Sequence, residues 1–160
     1  MTIEVIGIDH IYIAVSELSR SEIFYDAVMK LLGFHKGTDP IGGQPHAHYF
    51  NRTLQYTIRP AKSDALSHDP LLPGLHHLCL QVQDTTSVDK AANGLRALGI
   101  AVSEPRIYPE YGPDYYAIYF KDPDGIELEI VNRTRVRSLI QEHWDKLECF
   151  ENPLRKAGLI

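Results

Sequence analysis

The sequence predicts an α+β fold of two βαβββ modules, their mixed sheet curving around a concave site, with a C-terminal helix added. Three observations carry that expectation. A strand headed by histidine occurs twice, with His10 and His77 lying 67 positions apart. Each is followed by a helical stripe that stops at a glycine, first in Leu31-Leu32-Gly33-Phe34 and again in Ala97-Leu98-Gly99-Ile100. The third observation is the stretch from Asp122 to Val131, where a tight turn feeds a strand bearing two carboxylates. One module alone would leave a face of a small sheet bare, so a repeat points to two sheets sharing a core.

In the first strand His10 and Tyr12 share one face, and Ile11, Ile13 and Val15 share the other. Ser19-Arg20-Ser21-Glu22 has the form of a capping box, and Phe24, Ala27, Val28 and Leu31 follow at the spacing of one buried stripe. Gly33 supplies the left-handed residue that closes the helix. Residues 34–45 are Gly-rich and read as loop, and short strands are expected at 47–50 and 54–58, with Pro60 ending the run. Module one therefore spans 5–60, and the Pro-rich stretch 61–74 is the connector.

Module two, 75–133, opens with His77, Cys79 and Gln81 opposite Leu78, Leu80 and Val82. Thr86-Ser87-Val88-Asp89 marks a second helix start, and Val88, Ala91, Ala92, Leu95 and Leu98 form its stripe. Strands near 101–107 and 115–121 flank a Pro/Tyr-rich loop that, with Gly42-Gly43, is a candidate cavity mouth or an ordinary connector. Pro123 presets a turn φ and Gly125 can take a positive one. Beyond the turn, Glu127, Glu129 and Val131 share the face opposite Ile126, Leu128 and Ile130. The tail, 134–160, turns basic and then amphipathic through Val136, Leu139, Ile140, His143, Trp144 and Leu147, to pack on the domain or on a second subunit. The whole of 1–160 is expected to act as a single domain.

With 44% hydrophobic and 23% charged residues in 160, the chain should fold. A formal charge of −5 and no basic run interleaved with aromatics argue against nucleic acid as a partner. Apolar runs are of strand length and the N-terminus lacks signal-peptide features, so a cytoplasmic protein without membrane association is expected. The two cysteines, Cys79 and Cys149, fit free thiols better than a disulfide in such a compartment.

Two imidazoles and a carboxylate on strand faces that look into a cavity make a divalent-metal ligand set, because a buried carboxylate must be paired, protonated or metal-bound. His46 and His48, two apart on one strand, are a rival pair without a third ligand. Glu127 is the sequence candidate for a proton-moving base, although a carboxylate at the solvent rim is its stronger reading.

The chain resembles the vicinal oxygen chelate superfamily, which includes glyoxalase I, extradiol dioxygenases, fosfomycin-resistance transferases and bleomycin-binding proteins. The resemblance covers about residues 5–133 and rests on Asp9-His10-Ile11, His76-His77-Leu78, and Asp122-Pro123-Asp124-Gly125 followed by Glu129. It implies that His10, His77 and Glu129 are metal ligands, with Gln55 the fourth if Leu54-Gln55-Tyr56 is laid over Leu128-Glu129-Ile130. The implied ion is iron, manganese, nickel, cobalt or zinc, the substrate a small molecule with vicinal oxygens, and the assembly a homodimer. Tyr119 stands at a dioxygenase-like tyrosine position and joins Glu129 as a candidate catalytic residue. Tyr12, His48, Cys79, Gln81 and Tyr115 are the candidate pocket residues.

The dioxygenase histidine is absent, since Glu110, Tyr111 and Gly112 stand where it is expected, and glyoxalase I usually has a carboxylate where Gln55 stands. Lyase or isomerase chemistry is therefore favoured over ring cleavage. A ring-cleaving dioxygenase or a non-catalytic drug-binding protein of the same fold are the alternatives.

Overall fold

A computed structural model describes residues 3–62, 68–148 and 150–159. The chain divides into two compact units, one of residues 1–76 with 121–127 and one of 77–120 with 128–160. Part of the expected connector and Cys149, hence the disulfide question, lie outside the described residues.

The first unit runs β1 (His10–Val15), α1 (Leu18–Leu31), β2 (His35–Gly37), β3 (Ala47–Phe50) and β4 (Gln55–Pro60). Its sheet has the order β1-β4-β3-β2. β1 lies parallel to β4, with His10 opposite Gln55 and Tyr12 opposite Thr57, while β3 is antiparallel to both β2 and β4. Alternation in β1 works as the sequence suggests: Ile13 and Val15 are in the core, and His10 and Tyr12 are exposed.

Helix α1 departs from expectation at its start and on its buried face. It is preceded by Glu17 with no side-chain cap, and Ser19 bonds the Glu17 carboxylate at 2.9 Å instead of forming a capping box. The buried positions are Ser21, Tyr25, Val28 and Met29, a stripe rotated from the Phe24-Ala27-Val28-Leu31 reading. The cause is a polar partner inside the unit, as Tyr25 donates its hydroxyl to Asp122 Oδ2 at 2.9 Å and accepts from the Tyr56 hydroxyl at 2.9 Å. A large ring with a satisfied hydroxyl outcompetes Phe24 for the interior. β2 was expected as loop and forms because His35–Gly37 pairs with β3.

The turn after Lys121 belongs to this unit. Gly125 takes φ +88°, as the turn requires. Asp122 Oδ1 accepts from the backbone N–H of Asp124 at 2.9 Å and of Ile126 at 2.8 Å. Asp124 accepts from the Ser16 N–H at 2.8 Å, and also holds the Ser16 hydroxyl and the Arg20 guanidinium. Two carboxylates thereby tie one turn to the entry of α1.

The second unit runs β5 (His77–Gln81), α2 (Thr85–Ala97), β6 (Arg106–Ile107), β7 (Tyr116–Lys121) and β8 (Glu127–Asn132), except that Lys121 and Glu127 are counted with the first. Helices α3 (Thr134–His143) and α4 (Pro153–Lys156) follow, with a 3-10 turn at Trp144–Lys146 between them. The sheet order is β5-β8-β7-β6. α2 is capped by Asp84, whose carboxylate accepts from the Ser87 N–H at 2.7 Å, so it starts just ahead of the expected Thr86. Val88, Ala91, Ala92 and Leu95 are buried as expected, while Leu98 is exposed. The strand expected over 101–107 shrinks to β6 plus a bridge from Val102 to Phe120.

The two glycine corners are the same structure. Gly33 has φ +80° and Gly99 φ +75°, and Phe34 N–H reaches Met29 O at 2.8 Å as Ile100 N–H reaches Leu95 O at 3.0 Å. Both are Schellman closures that only an achiral residue makes without strain. The fold is thus α+β, with two four-stranded mixed sheets and helices, in the two-module arrangement that the repeat predicts.

Burial raises the Asp122 carboxyl above its usual range, against three hydrogen bonds that favour the charged form. A raised carboxyl binds its proton more tightly folded than unfolded, so its contribution to stability is present at low pH and lost as pH rises through the folded pKa. Asp122→Asn removes that titration. The difference in thermal stability between wild type and the variant should therefore be most in favour of wild type near pH 4 and shift toward the variant by pH 7, as followed by calorimetry. Asp122→Ala, which strips all three bonds, should lose about 2–4 kcal/mol at either pH.

Candidate functional site

On β8 the apolar face is buried as expected, with Leu128 and Ile130 inside, but Glu129 is also buried, at 1% exposure. Neither of its carboxylate oxygens makes a hydrogen bond of good geometry. The contact it does have is with His77 on β5, Nε2 to Oε2 at 3.3 Å, where the imidazole side chain is 37% exposed. A desolvated carboxylate without a well-formed hydrogen bond is a costly arrangement unless a cation completes it. An N/O pair of this kind suits a divalent ion.

Three further predicted residues gather at Glu129 within the second unit. Loss of hydration, then the charge of Glu129, push the hydroxyls of Tyr119 and the thiol of Cys79 well above their usual ranges. Tyr115 is raised by burial first and then by its hydrogen bond toward Glu129. All three are consequently neutral donors near neutrality, not thiolate or phenolate nucleophiles. Tyr119 also stands edge-on to Tyr108, ring centroids 5.2 Å apart, and Tyr111 packs on both Tyr108 and Tyr115. Gln81 lies on the exposed face of β5 with His77 and Cys79.

In the first unit, His10 and Gln55 are register partners on β1 and β4. β1 and β4 are the first and last strands of their module, as β5 and β8 are of theirs, and His10 opens β1 as His77 opens β5. Gln55 opens β4 as Glu127 opens β8, so the place of Glu129, third in its strand, is taken in β4 by Thr57 and not by Gln55. His10 is 55% exposed, and its Nδ1 lies 2.8 Å from Asp9 Oδ2. The amide nitrogen of Gln55 donates to Thr57 Oγ1 at 3.0 Å. Tyr12 is edge-on to His10 at 5.3 Å and to His46 at 6.1 Å.

His48 is buried, and both its ring nitrogens are engaged, Nδ1 with Thr57 Oγ1 and Nε2 with the Asp39 carbonyl, each at 2.9 Å. The carbonyl can only accept, so Nε2 carries the proton and Nδ1 receives the threonine hydroxyl. His46 stacks on it at 5.6 Å and bonds the Gln44 carbonyl at 2.8 Å. Engaged in this way, the rival pair is a structural stack. Neither unit by itself holds three or more His, Cys, Asp or Glu side chains arranged around a metal position among the described residues.

Sequence reasoning passed over Tyr108, Tyr111 and Arg133. The sequence marks the Tyr-rich loop as a cavity mouth or an ordinary connector, and it gives Arg133, the last residue of module two, no role. Its guanidinium in fact stands over the Tyr115 ring, 5.1 Å from the centroid.

A family profile described as "Glyoxalase/Bleomycin resistance protein/Dioxygenase superfamily" matches residues 7–130. The chain is 30% identical over 128 residues to the uncharacterized protein YqjT of Bacillus subtilis (strain 168), covering 76% of this chain and 95% of that one. Among solved structures, a glyoxylase/bleomycin resistance protein/dioxygenase domain from Frankia sp. EAN1pec superposes with TM-score 0.68 at 23% identity, covering 81% of this chain and 98% of that chain. A lactoylglutathione lyase from Agrobacterium tumefaciens superposes with TM-score 0.60 at 18% identity, covering 82% and 96%. At these identities the two structures speak for the fold alone.

A carboxylate kept for a ligand costs the empty protein stability. In chelator-treated protein, Glu129→Gln should melt at or above the wild-type temperature, because an amide of the same shape has no charge to desolvate. A drop of several degrees would mark Glu129 as an ordinary structural residue.

Proposed function

The chain belongs to the Glyoxalase/Bleomycin resistance protein/Dioxygenase superfamily, and from that premise we propose that it is a divalent-metal-dependent enzyme acting on a small molecule chelated through neighbouring oxygens. The observation that carries this reading is the desolvated Glu129 carboxylate facing His77 Nε2 at 3.3 Å. His77 and Glu129 would be two of the ligands, and His10, which opens β1 as His77 opens β5, and Gln55, opposite it in register, are the candidates from the first module to complete the set. A bound divalent ion would supply Lewis-acid polarisation of the chelated oxygens.

The chain's own residues supply the rest. Tyr119 and Tyr115, held neutral by burial and by the charge of Glu129, are hydrogen-bond donors for a substrate oxygen that gains negative charge. Glu127, half-buried on β8, is the candidate to carry a proton. Lyase or isomerase chemistry is favoured over ring cleavage, since Glu110, Tyr111 and Gly112 offer no histidine to manage protons at dioxygen. The surface supports a homodimer, as Ile3, Val5, Ile6 and Ile8 turn apolar side chains to solvent where a second copy would cover them. Among the described residues no helix is long and apolar enough to cross a membrane.

A second reading, a protein that sequesters a small aromatic compound without turning it over, is favoured by the mutually packed Tyr108, Tyr111, Tyr115 and Tyr119. Metal binding separates the two. Titrating chelator-stripped protein with manganese or zinc in a calorimeter should give one site per chain. His77→Ala with Glu129→Ala should weaken it by more than about 100-fold, beyond what loss of an outer partner costs. A folded double variant that binds metal like wild type would sink the enzymatic reading.

A further inference from the structure

We propose that Arg133 is the anion anchor of this site, its guanidinium, seated over the Tyr115 ring, holding an oxyanion carried by the substrate, a carboxylate or a phosphonate. The inference rests on the site reading above and extends it from a chelated head to a charged arm.

Arg133 lies where β8 ends and α3 begins, and its position is fixed from both sides. Asn132 donates to the Val82 carbonyl at 3.2 Å and to Thr134 Oγ1 at 2.9 Å, and the Thr134 hydroxyl donates to the Gln83 carbonyl at 3.1 Å. The guanidinium lies over the Tyr115 ring, and its Nε is buried without a hydrogen-bond partner. Among the described residues it forms no ion pair. Guanidinium groups carry five donors in a planar fork, and here the inner donor, Nε, is shut off from water and unanswered although the side chain as a whole is half-buried.

Helix stability does not account for the residue. Arg133 is the N-cap of a ten-residue helix and makes no side-chain cap, and a cation at that end opposes the helix dipole. An anion there would be welcomed by both charges. Arg106 offers a contrast, as it also covers a tyrosine, Tyr108 at 4.3 Å, but stands on an exposed strand and interacts with the Tyr108 hydroxyl.

Tyr115 joins the two ends of the site. Its ring carries Arg133, and its hydroxyl interacts with Glu129. A substrate whose chelating oxygens sit at Glu129 and His77 would reach Arg133 if its charged group lies about one ring away. A planar arm would stack on the tyrosine cluster as it does so. The substrate class is therefore a compact anion with an aromatic or otherwise flat body.

Benzoate, phenylphosphonate and neutral benzamide serve as probes, with calorimetry or nuclear magnetic resonance titration of chelator-treated protein, so that no metal enters the measurement. Wild type should bind an anionic probe and Arg133→Gln should bind it at least about tenfold more weakly, a difference of about 1.4 kcal/mol. Arg133→Lys should fall between, keeping charge but not the fork. Benzamide should bind weakly and equally to all three. Preference between benzoate and phenylphosphonate tells which oxyanion the site prefers. Equal anion binding by wild type and Arg133→Gln, or no anion binding by wild type, overturns the proposal. If Arg133→Gln does not fold, Arg133→Lys carries the same test. Manganese binding measured on Arg133→Gln should be unchanged. Wild type that holds benzoate through Arg133 yet binds no metal would defeat the metal reading and leave the anchor standing.

Discussion

The second unit is organised around a desolvated carboxylate. Glu129 has 1% of its surface exposed and no well-formed hydrogen bond, and it adds to the effect of burial in raising the hydroxyls and thiol beside it. A protein maximising stability would place leucine or a paired polar group there. Keeping the carboxylate makes sense if something positive is to be received, and His77 at 3.3 Å supplies a second donor of the kind a divalent ion takes. The neutral state of Cys79, Tyr115 and Tyr119 follows from loss of hydration first and is reinforced by Glu129. Donors to an oxyanion, not nucleophiles, are what stand beside this carboxylate.

The turn before β8 does separate work. Asp122 and Asp124 spend their charge on backbone N–H groups, on the Tyr25 and Ser16 hydroxyls and on Arg20, so they are satisfied where Glu129 is not. Within ten residues of sequence, Asp122 and Asp124 hold structure while Glu129 is left without a well-formed hydrogen bond. Hydrogen-bond satisfaction, not burial alone, separates the roles, since Asp122 is also buried.

Much of this was legible beforehand, and what was not has physical reasons. The glycine corners at Gly33 and Gly99 were readable because φ near +80° is a demand that one residue type meets cheaply. The alternating faces of β1 and β5 were readable because strand period is rigid. The buried face of α1 was misread because periodicity counts Phe24 as greasier than Tyr25, and only a distant partner, Asp122, reverses that order. β2 was missed because its three residues have no pattern of their own and exist by pairing with β3. The partners of His48, the Asp39 carbonyl and the Thr57 hydroxyl, lie on other segments, so nothing in its own strand announces that both nitrogens are engaged. Arg133 was hidden for a related reason, as a cation in a basic stretch gains meaning only from the ring beneath it.

The central claim, that His77 and Glu129 are built to hold a divalent ion, is tested most directly by diffraction from crystals soaked in manganese or zinc, with data collected at the metal edge. The account predicts a single anomalous peak about 2.0–2.2 Å from His77 Nε2 and a Glu129 oxygen, the bond lengths such ligands make. A peak seated instead at His46 and His48, or no peak beside Glu129 in a crystal that holds the metal elsewhere, would contradict it.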